Sequence, residues 1–257
     1  MERGLLSAGV GEPGAATAGG LRSRAEDLAD LYEELVARAE TAAVRWRWAT
    51  PTSGHGHVEP LRLQRMGCTP GRWLHRPPPC EEHEAIGFDA LGRVVCVRQY
   101  DATGEVWLER FCSWSRDRVE VACFRAPVEC SAGELPAELQ SVMHMRLAAS
   151  LPVESERYMP PTGSCSRERY RYHGVRLARI EEDACDDAGG LITVVKEILY
   201  GDDGRVLGID ALGPEGRREV WRHAGQPHGA RREARPSAPG RLRRQVCVPA
   251  GSMDQGL

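Results

Sequence analysis

The chain has 257 residues, of which 41% are hydrophobic and 28% are charged, and this length allows one large domain or two small ones. A net charge of -3 gives no global reason to expect a nucleic acid or an anionic membrane as partner. No run approaches the roughly 20 apolar residues that span a bilayer, and no signal peptide precedes the first helix. These properties predict a cytoplasmic protein without a membrane partner.

The near absence of lysine and the absence of asparagine bear on how the high arginine content is interpreted. Lys196 is the only lysine and no asparagine occurs, which is typical of a GC-rich bacterial genome. The base composition of the genome therefore explains the high arginine content before any function does. The nine cysteines are scattered without a Cys-x-x-Cys pair, which favours free thiols in a reducing compartment.

Residues 1–22 are rich in glycine and alanine, and we expect them to be disordered. They contain Gly9-x-Gly11-x-x-Gly14, formally a dinucleotide fingerprint. That fingerprint requires a preceding strand and a following helix, and the sequence supplies neither. The sequence accordingly predicts no cofactor.

Residues 23–48 predict one amphipathic helix that needs a sheet or a partner to bury its apolar stripe. Ser23 and Glu26 have the spacing of a capping box, and acidic residues crowd the first half, as the helix dipole favours. The apolar positions that recur at helical spacing are Leu28, Leu31, Leu35, Ala39 and Ala42.

Residues 49–85 predict a loop or linker, with Pro77–Pro79 as a stiff connection into the sheet. This segment holds the best metal-ligand candidates of the sequence: Cys68, His75, Cys80 and His83, with His55 and His57 nearby. Thiolates and imidazoles suit zinc, and Cys80-x-x-His83 has a chelating spacing. The irregular gap from Cys68 to His75 favours instead a polar loop without a metal.

Residues 86–222 predict an antiparallel sheet domain, and the whole chain an α+β fold. Apolar residues alternate over 93–100, 105–111 and 118–124, and two further strands flank a turn at His173-Gly174. Residues 134–149 change to helical spacing and predict a mid-chain helix. Residues 223–257 predict a disordered tail rich in arginine and proline.

One pattern occurs three times: an aromatic residue, three residues, Gly, a charged residue and Val. The copies are Phe88…Gly92-Arg93-Val94, Tyr100…Gly104-Glu105-Val106 and Tyr200…Gly204-Arg205-Val206, and Gly174 lies in a looser relative. Each copy predicts a hairpin in which the glycine adopts a left-handed conformation and the valine begins the next strand.

The stretches "FDALGR", "YDATGE" and "YGDDGR" resemble the YD repeats of Rhs-type proteins, and more closely the small cytosolic bacterial proteins that carry a few degenerate copies. The resemblance covers roughly residues 86–124 and 168–221. It implies an antiparallel sheet and no catalytic residue. The copies are too few to close the shell that many repeats form in the large Rhs proteins.

The leading hypothesis is a non-enzymatic protein-interaction module of the bacterial cytosol, with an immunity or antitoxin role suggested by analogy. Its binding surface would use aromatic residues of the strands and turns: Phe88, Tyr100, Trp107, Trp114, Tyr172 and Tyr200. A metal protein or enzyme that uses residues 55–83 is one alternative. Nucleic-acid binding through the arginine-rich tail is the other.

Overall fold

The structure is a computed structural model that describes residues 13–130, 133–185 and 191–223. Three helices and fifteen strands form within these ranges. The helices are α1 Pro13–Leu28, α2 Tyr32–Ala42 and α3 Arg62–Arg65. The strands are β1 Arg45–Ala49, β2 Trp73–Leu74, β3 His83–Phe88, β4 Val94–Tyr100, β5 Val106–Trp114, β6 Arg118–Arg125, β7 Val128–Cys130, β8 Gly133–Leu135, β9 Glu138–Ala148, β10 Leu151–Met159, β11 Ser164–His173, β12 Arg176–Cys185, β13 Leu191–Tyr200, β14 Val206–Gly213 and β15 Gly216–Arg222.

Thirteen of these strands form one antiparallel sheet in the order β15-β14-β13-β12-β11-β10-β9-β6-β5-β4-β3-β1-β2. The hairpin β7–β8 forms a separate pair between β6 and β9. Most neighbours in the sheet are neighbours in the chain, as expected of a meander. The predicted antiparallel sheet is therefore confirmed, and it extends beyond residue 86 to include β1 to β3.

The repeated pattern forms hairpins with one shared geometry. The first backbone N–H of each turn donates to a carbonyl four residues on, from Asp89 to Arg93, from Asp101 to Glu105 and from Gly201 to Arg205. The pairing register shifts at the aromatic residue in each copy. The turn glycines have positive φ: 77° at Gly92, 88° at Gly104, 62° at Gly174 and 76° at Gly204. A residue with a Cβ atom is disfavoured in this conformation.

The predicted helix over 134–149 is wrong, because β8 and β9 occupy these residues. A bulge opposite Phe124 explains the misleading spacing. It turns Leu139 and Val142, three residues apart, toward the same core, while Met143 and Met145 pack on the opposite face. A strand buried on both faces, with one extra residue, thus imitates helical periodicity.

The single helix predicted over 23–48 is also wrong. Helix α1 begins at Pro13, so residues 13–22 are helical, and Ser23 lies inside the helix and not at its start. Helix α1 packs over β9 and β10 and helix α2 over β3 to β5, and the break at residues 29–31 lets the chain follow both groups of strands. Residues Arg45–Ala49 form a strand because Arg and Trp alternate there.

Residues 49–85 are not a linker. Their central part, which we call the inner segment (residues 53–67), packs against the sheet on the face opposite α1 and α2, and it buries Ser53, Glu59, Leu63 and Arg65. A Cβ atom at Gly56 would lie 2.5 Å from Val97 of β4, and one at Gly67 would lie 3.2 Å from the Val220 carbonyl oxygen of β15.

These two contacts imply that the sheet curls. Strands β4 and β15 are nine positions apart, which is about 43 Å in a flat sheet. Eleven residues span at most about 38 Å when fully extended, and the inner segment includes the helical turn α3. The sheet must therefore bend around it, so we call this face the inner face and the helix-covered face the outer face.

Two apolar clusters follow from this arrangement. The outer cluster joins Leu21, Leu28 and Leu35 of the helices to Phe111 and Phe124 of the sheet. The inner cluster runs along β5 to β15 and receives Val58 and Leu61 from the inner segment. The predictions for residues 1–12, with Gly9 and Gly11, and for the tail from 224 to 257 lie outside the described residues.

Candidate functional site

A groove of about 970 Å³ opens on the outer face between α1, the start of α2 and the chain around β8 to β10. Its lining combines acidic, proline and aromatic residues. They are Arg22, Ala25, Glu26, Ala29, Asp30, Tyr32, Glu33, Pro127, Glu134, Pro136, Ala137, Glu138, Leu139, Tyr158, Pro160 and Pro161.

The floor of the groove is apolar and belongs to the outer cluster. Ala25, Leu139 and Tyr158 are buried there, and the Arg22 guanidinium lies 5.7 Å from the centre of the Tyr158 ring. Leu21, Ala25 and Leu28 recur at helical spacing, which turns the apolar side of α1 toward β9 and β10. The groove lies along the edge of the contact between α1 and these strands, so no additional element is needed to form it.

The rim is acidic. Glu26, Asp30, Glu33 and Glu134 are exposed and form no ion pair with a described residue, while Glu138 pairs with Arg125 at 2.5 Å. Five carboxylates against the single guanidinium of Arg22 give the lining a formal charge of -4. Since the charges surround a concave surface, their field favours cationic side chains in the groove.

Tyr32 anchors the start of α2 beside the groove. Its hydroxyl donates to Glu109, and its ring packs against Phe111 and Phe124. Burial and the Glu109 carboxylate raise the pKa of Tyr32, so it stays a neutral hydroxyl. The anchored tyrosine fixes the wall from which Glu33 projects.

On the side of α1 that faces away from the groove, Arg24 of the helix is held by Glu120 of the sheet, which His144 also contacts. Arg24 donates two hydrogen bonds to Glu120, at 2.9 and 2.8 Å, and the His144 Nε2 atom lies 2.8 Å from the same carboxylate. Burial raises the pKa of Glu120, but the hydrogen bonds to Arg24 and His144 outweigh it and lower the pKa to about 2. We call Arg24, Glu120 and His144 the α1 clamp.

The six aromatic residues predicted to form the binding surface do not lie together. Trp114, Tyr172 and Tyr200 pack at the inner cluster. Phe88 is buried in a smaller cluster with Ile86 and Val97, and Tyr100 stacks on His83 with ring centres 4.6 Å apart. Only Trp107, of these six, is strongly exposed, at 45%.

The metal-ligand candidates are likewise dispersed. His83 is buried on β3 and Cys80 is exposed, while the His55 ring stacks on Trp73 with centres 4.0 Å apart. Cys68 and His75 lie in the loops that flank Trp73. Among the described residues, no three His, Cys, Asp or Glu side chains form an arrangement that could hold a metal ion.

The groove itself was not predicted from the sequence, although one signal was present. Glu26, Asp30 and Glu33 recur three or four residues apart, a distribution that the helix dipole alone can explain. In a continuous helix such spacing places carboxylates on one side, but here Glu26 lies on α1, Asp30 in the break and Glu33 on α2. The opposite wall, with Glu134, comes from a segment for which a helix was predicted.

No protein-family model matches the sequence, and a comparison with curated proteins finds no match either. No helix within residues 13–223, as far as these are described, is long and apolar enough to cross a membrane. Function is therefore inferred from the site.

Proposed function

We propose that the protein is a non-enzymatic interaction module of the bacterial cytosol that binds a basic, extended segment of a partner protein in the acidic groove. The observation that carries this proposal is the group of exposed carboxylates above an apolar floor. Arginine or lysine side chains of a partner can place their charges at the rim and their aliphatic stems on Ala25, Leu139 and Tyr158.

The walls support an extended segment and not a deeply enclosed small molecule. Four prolines line the groove, Pro127, Pro136, Pro160 and Pro161. Proline restricts its own backbone and offers no N–H group, so these walls are stiff and present little hydrogen bonding. A stiff groove limits the conformational entropy that is lost on binding.

The resemblance to YD-repeat proteins favours a concrete form of this function, the neutralisation of a toxin as an immunity or antitoxin protein. This part of the proposal is an analogy at the level of the sequence pattern. Mixing the full chain with the products of neighbouring genes, followed by size-exclusion chromatography, tests it. We expect a complex with one of them, and the absence of any complex would count against the immunity role.

The groove is tested with a fluorescent peptide of alternating arginine and valine, whose polarisation reports binding to the full chain. The double substitution Glu26→Gln and Glu134→Gln removes one charge from each wall. Because an exposed charge pair contributes up to about 1 kcal/mol, we expect binding to weaken about 5- to 20-fold. Added salt should weaken binding to the unsubstituted protein as well.

The matched control is the double substitution Glu105→Gln and Glu215→Gln, which removes two exposed charges outside the groove. We expect it to change the affinity less than about twofold. If both double substitutions weaken binding equally, the net charge of the protein attracts the peptide, and the groove is not its binding site. A peptide with glutamate in place of arginine should not bind.

A further inference from the structure

Five charged side chains form a row between the inner segment and the sheet, in the order Arg157, Glu59, Arg62, Glu168 and Arg65. Arg157 pairs with Glu59, and the Arg62 guanidinium lies 3.7 Å from Glu59 and 3.9 Å from Glu168. Arg65 closes the row with one nitrogen 2.8 Å from Glu168. Positive and negative groups therefore alternate, and the row begins and ends on arginine.

The row carries a surplus of positive charge. Burial raises the pKa of Glu59 and of Glu168, but the neighbouring arginines outweigh it and lower both, so the two carboxylates are ionised. Burial lowers the pKa of His57, which leaves that neighbour of Glu59 neutral. Three guanidiniums thus face two carboxylates.

Arg65 has hydrogen-bonding groups that the fold does not use. The residue is 4% exposed, and its Nε, Nη1 and Nη2 atoms are buried. Its one ion pair among the described residues is with Glu168, 2.8 Å from Nη1, and a single carboxylate cannot accept from all five N–H groups of a guanidinium. A buried N–H group without an acceptor is costly, and native proteins rarely keep one without a reason.

Arg62 is the member of the row that the fold needs least. Its contacts with both carboxylates are too long for hydrogen bonds. Burial lowers its pKa, and the charges of Arg157 and Arg65 lower it further, which means that folding disfavours the Arg62 charge. The preceding residue, Leu61, has a left-handed backbone with φ 54°, a strained conformation of the kind found at functional sites.

We propose that Arg62, Arg65 and Arg157 form a binding site for a small oxyanion, a phosphate or carboxylate group. The Arg62 and Arg157 side chains are 25% and 24% exposed, so an anion can approach them from solvent. Its oxygens accept hydrogen bonds from the guanidinium groups and balance the surplus charge. This site lies on the inner face and does not depend on the proposed function of the groove.

The experiment compares thermal unfolding of the full chain in sodium phosphate, sodium acetate and sodium chloride at matched ionic strength. A ligand that binds only the folded state raises Tm in proportion to the logarithm of its concentration. We expect phosphate or acetate to raise Tm above the value in chloride. Because phosphate also stabilises folded proteins by exclusion from their surface, only a rise that Arg62→Gln abolishes counts as binding. A larger rise of this kind in phosphate identifies a phosphate group as the ligand, and a larger one in acetate identifies a carboxylate.

The substitution Arg62→Gln separates a ligand site from a structural one. We expect this variant to lose the anion-dependent rise and to keep or exceed the unsubstituted Tm in chloride, because a repelled charge has been removed. Arg205→Gln, which removes a guanidinium that is 79% exposed on a hairpin turn, should leave the rise intact. Broadening of the ³¹P signal of inorganic phosphate by the unsubstituted protein, but not by Arg62→Gln, gives a second readout.

Two results would overturn the proposal. One is a Tm that is the same in all three salts, in which case water or the fold itself satisfies Arg65. The other is an Arg62→Gln variant whose Tm falls by the same amount in chloride as in phosphate and acetate. Arg62 would then be a structural bridge between Glu59 and Glu168.

Discussion

Helices α1 and α2 cover the outer face of the sheet with apolar side chains, whereas the inner segment covers the inner face with apolar and ionised side chains together. On the outer face, the helix backbone satisfies its own hydrogen bonds, so only side chains have to match the sheet. The acidic residues of α1 and α2 can then stay in solvent, where they form the rim of the groove.

The inner segment has little regular structure, and only Arg62–Arg65 form a helical turn. It is fixed by contacts with β5, β10 and β11, among them the hydrogen bond from Arg110 to the Gly56 carbonyl at 3.3 Å and the arginine–glutamate row. The outer face therefore carries the open groove for which we propose a protein partner, and the inner face carries the arginine row for which we propose a small oxyanion.

The largest expected effect comes from Phe124→Ala on the outer face. Phe124 is fully buried between α2 and the sheet, and its loss leaves a cavity that destabilises the protein by about 4 kcal/mol. Guanidinium chloride unfolding measures this change. Trp107→Ala on the adjacent strand is the control, since that side chain is 45% exposed and should cost far less, about 1 kcal/mol or below. Equal costs would mean that the outer cluster is not the main source of stability on this face.

A smaller effect is expected from Glu59→Gln on the inner face. This change leaves Arg157 and Arg62 without their shared carboxylate in a buried position and should destabilise by about 3 kcal/mol. Glu181→Gln is the matched control, because Glu181 also contacts several arginines but lies on the outer face near solvent. We expect the control to cost at most about 1 kcal/mol in urea unfolding. If both substitutions lowered the free energy of unfolding equally, burial would not increase the contribution of the Glu59 ion pairs.

The smallest effect is expected at the α1 clamp and depends on pH. Because folding lowers the pKa of Glu120 from 4.5 to about 2, its carboxylate stabilises the fold above pH 4.5, and this contribution is lost as pH falls toward 2. Glu120→Gln should therefore destabilise by about 1 kcal/mol at pH 7 and by less near pH 3. Urea unfolding at both values measures the difference, and a cost that does not change with pH would contradict it.

The sequence was sufficient where structure depends on neighbours in the chain. The hairpins after Phe88 and Tyr100 were predicted correctly, because the Asp89 and Asp101 side chains accept hydrogen bonds from backbone N–H groups only two and four residues ahead. A turn that satisfies its own groups needs little help from the remainder of the fold.

The sequence was misleading where distant contacts override the local pattern. In β9, the bulge opposite Phe124 places apolar residues at helical spacing, and pairing with β6 and β10 decides the outcome. For the inner segment, the sequence predicted only a loop or linker, whereas the curled sheet encloses this part of the chain. Burial of Glu59 and Arg65 depends on Arg157 and Glu168, about 100 residues away in the chain.

The antiparallel class and the positions of the hairpins are therefore determined by the sequence itself, through turn residues whose hydrogen bonds are local. The two proposed sites, in contrast, depend on the tertiary structure. The groove brings Glu26 of α1 opposite Glu134 of β8, and the arginine row brings the inner segment against β10 and β11. Local sequence patterns could not predict either arrangement in full, because the residues that meet are far apart in the chain and come together only when the sheet curls and the helices pack.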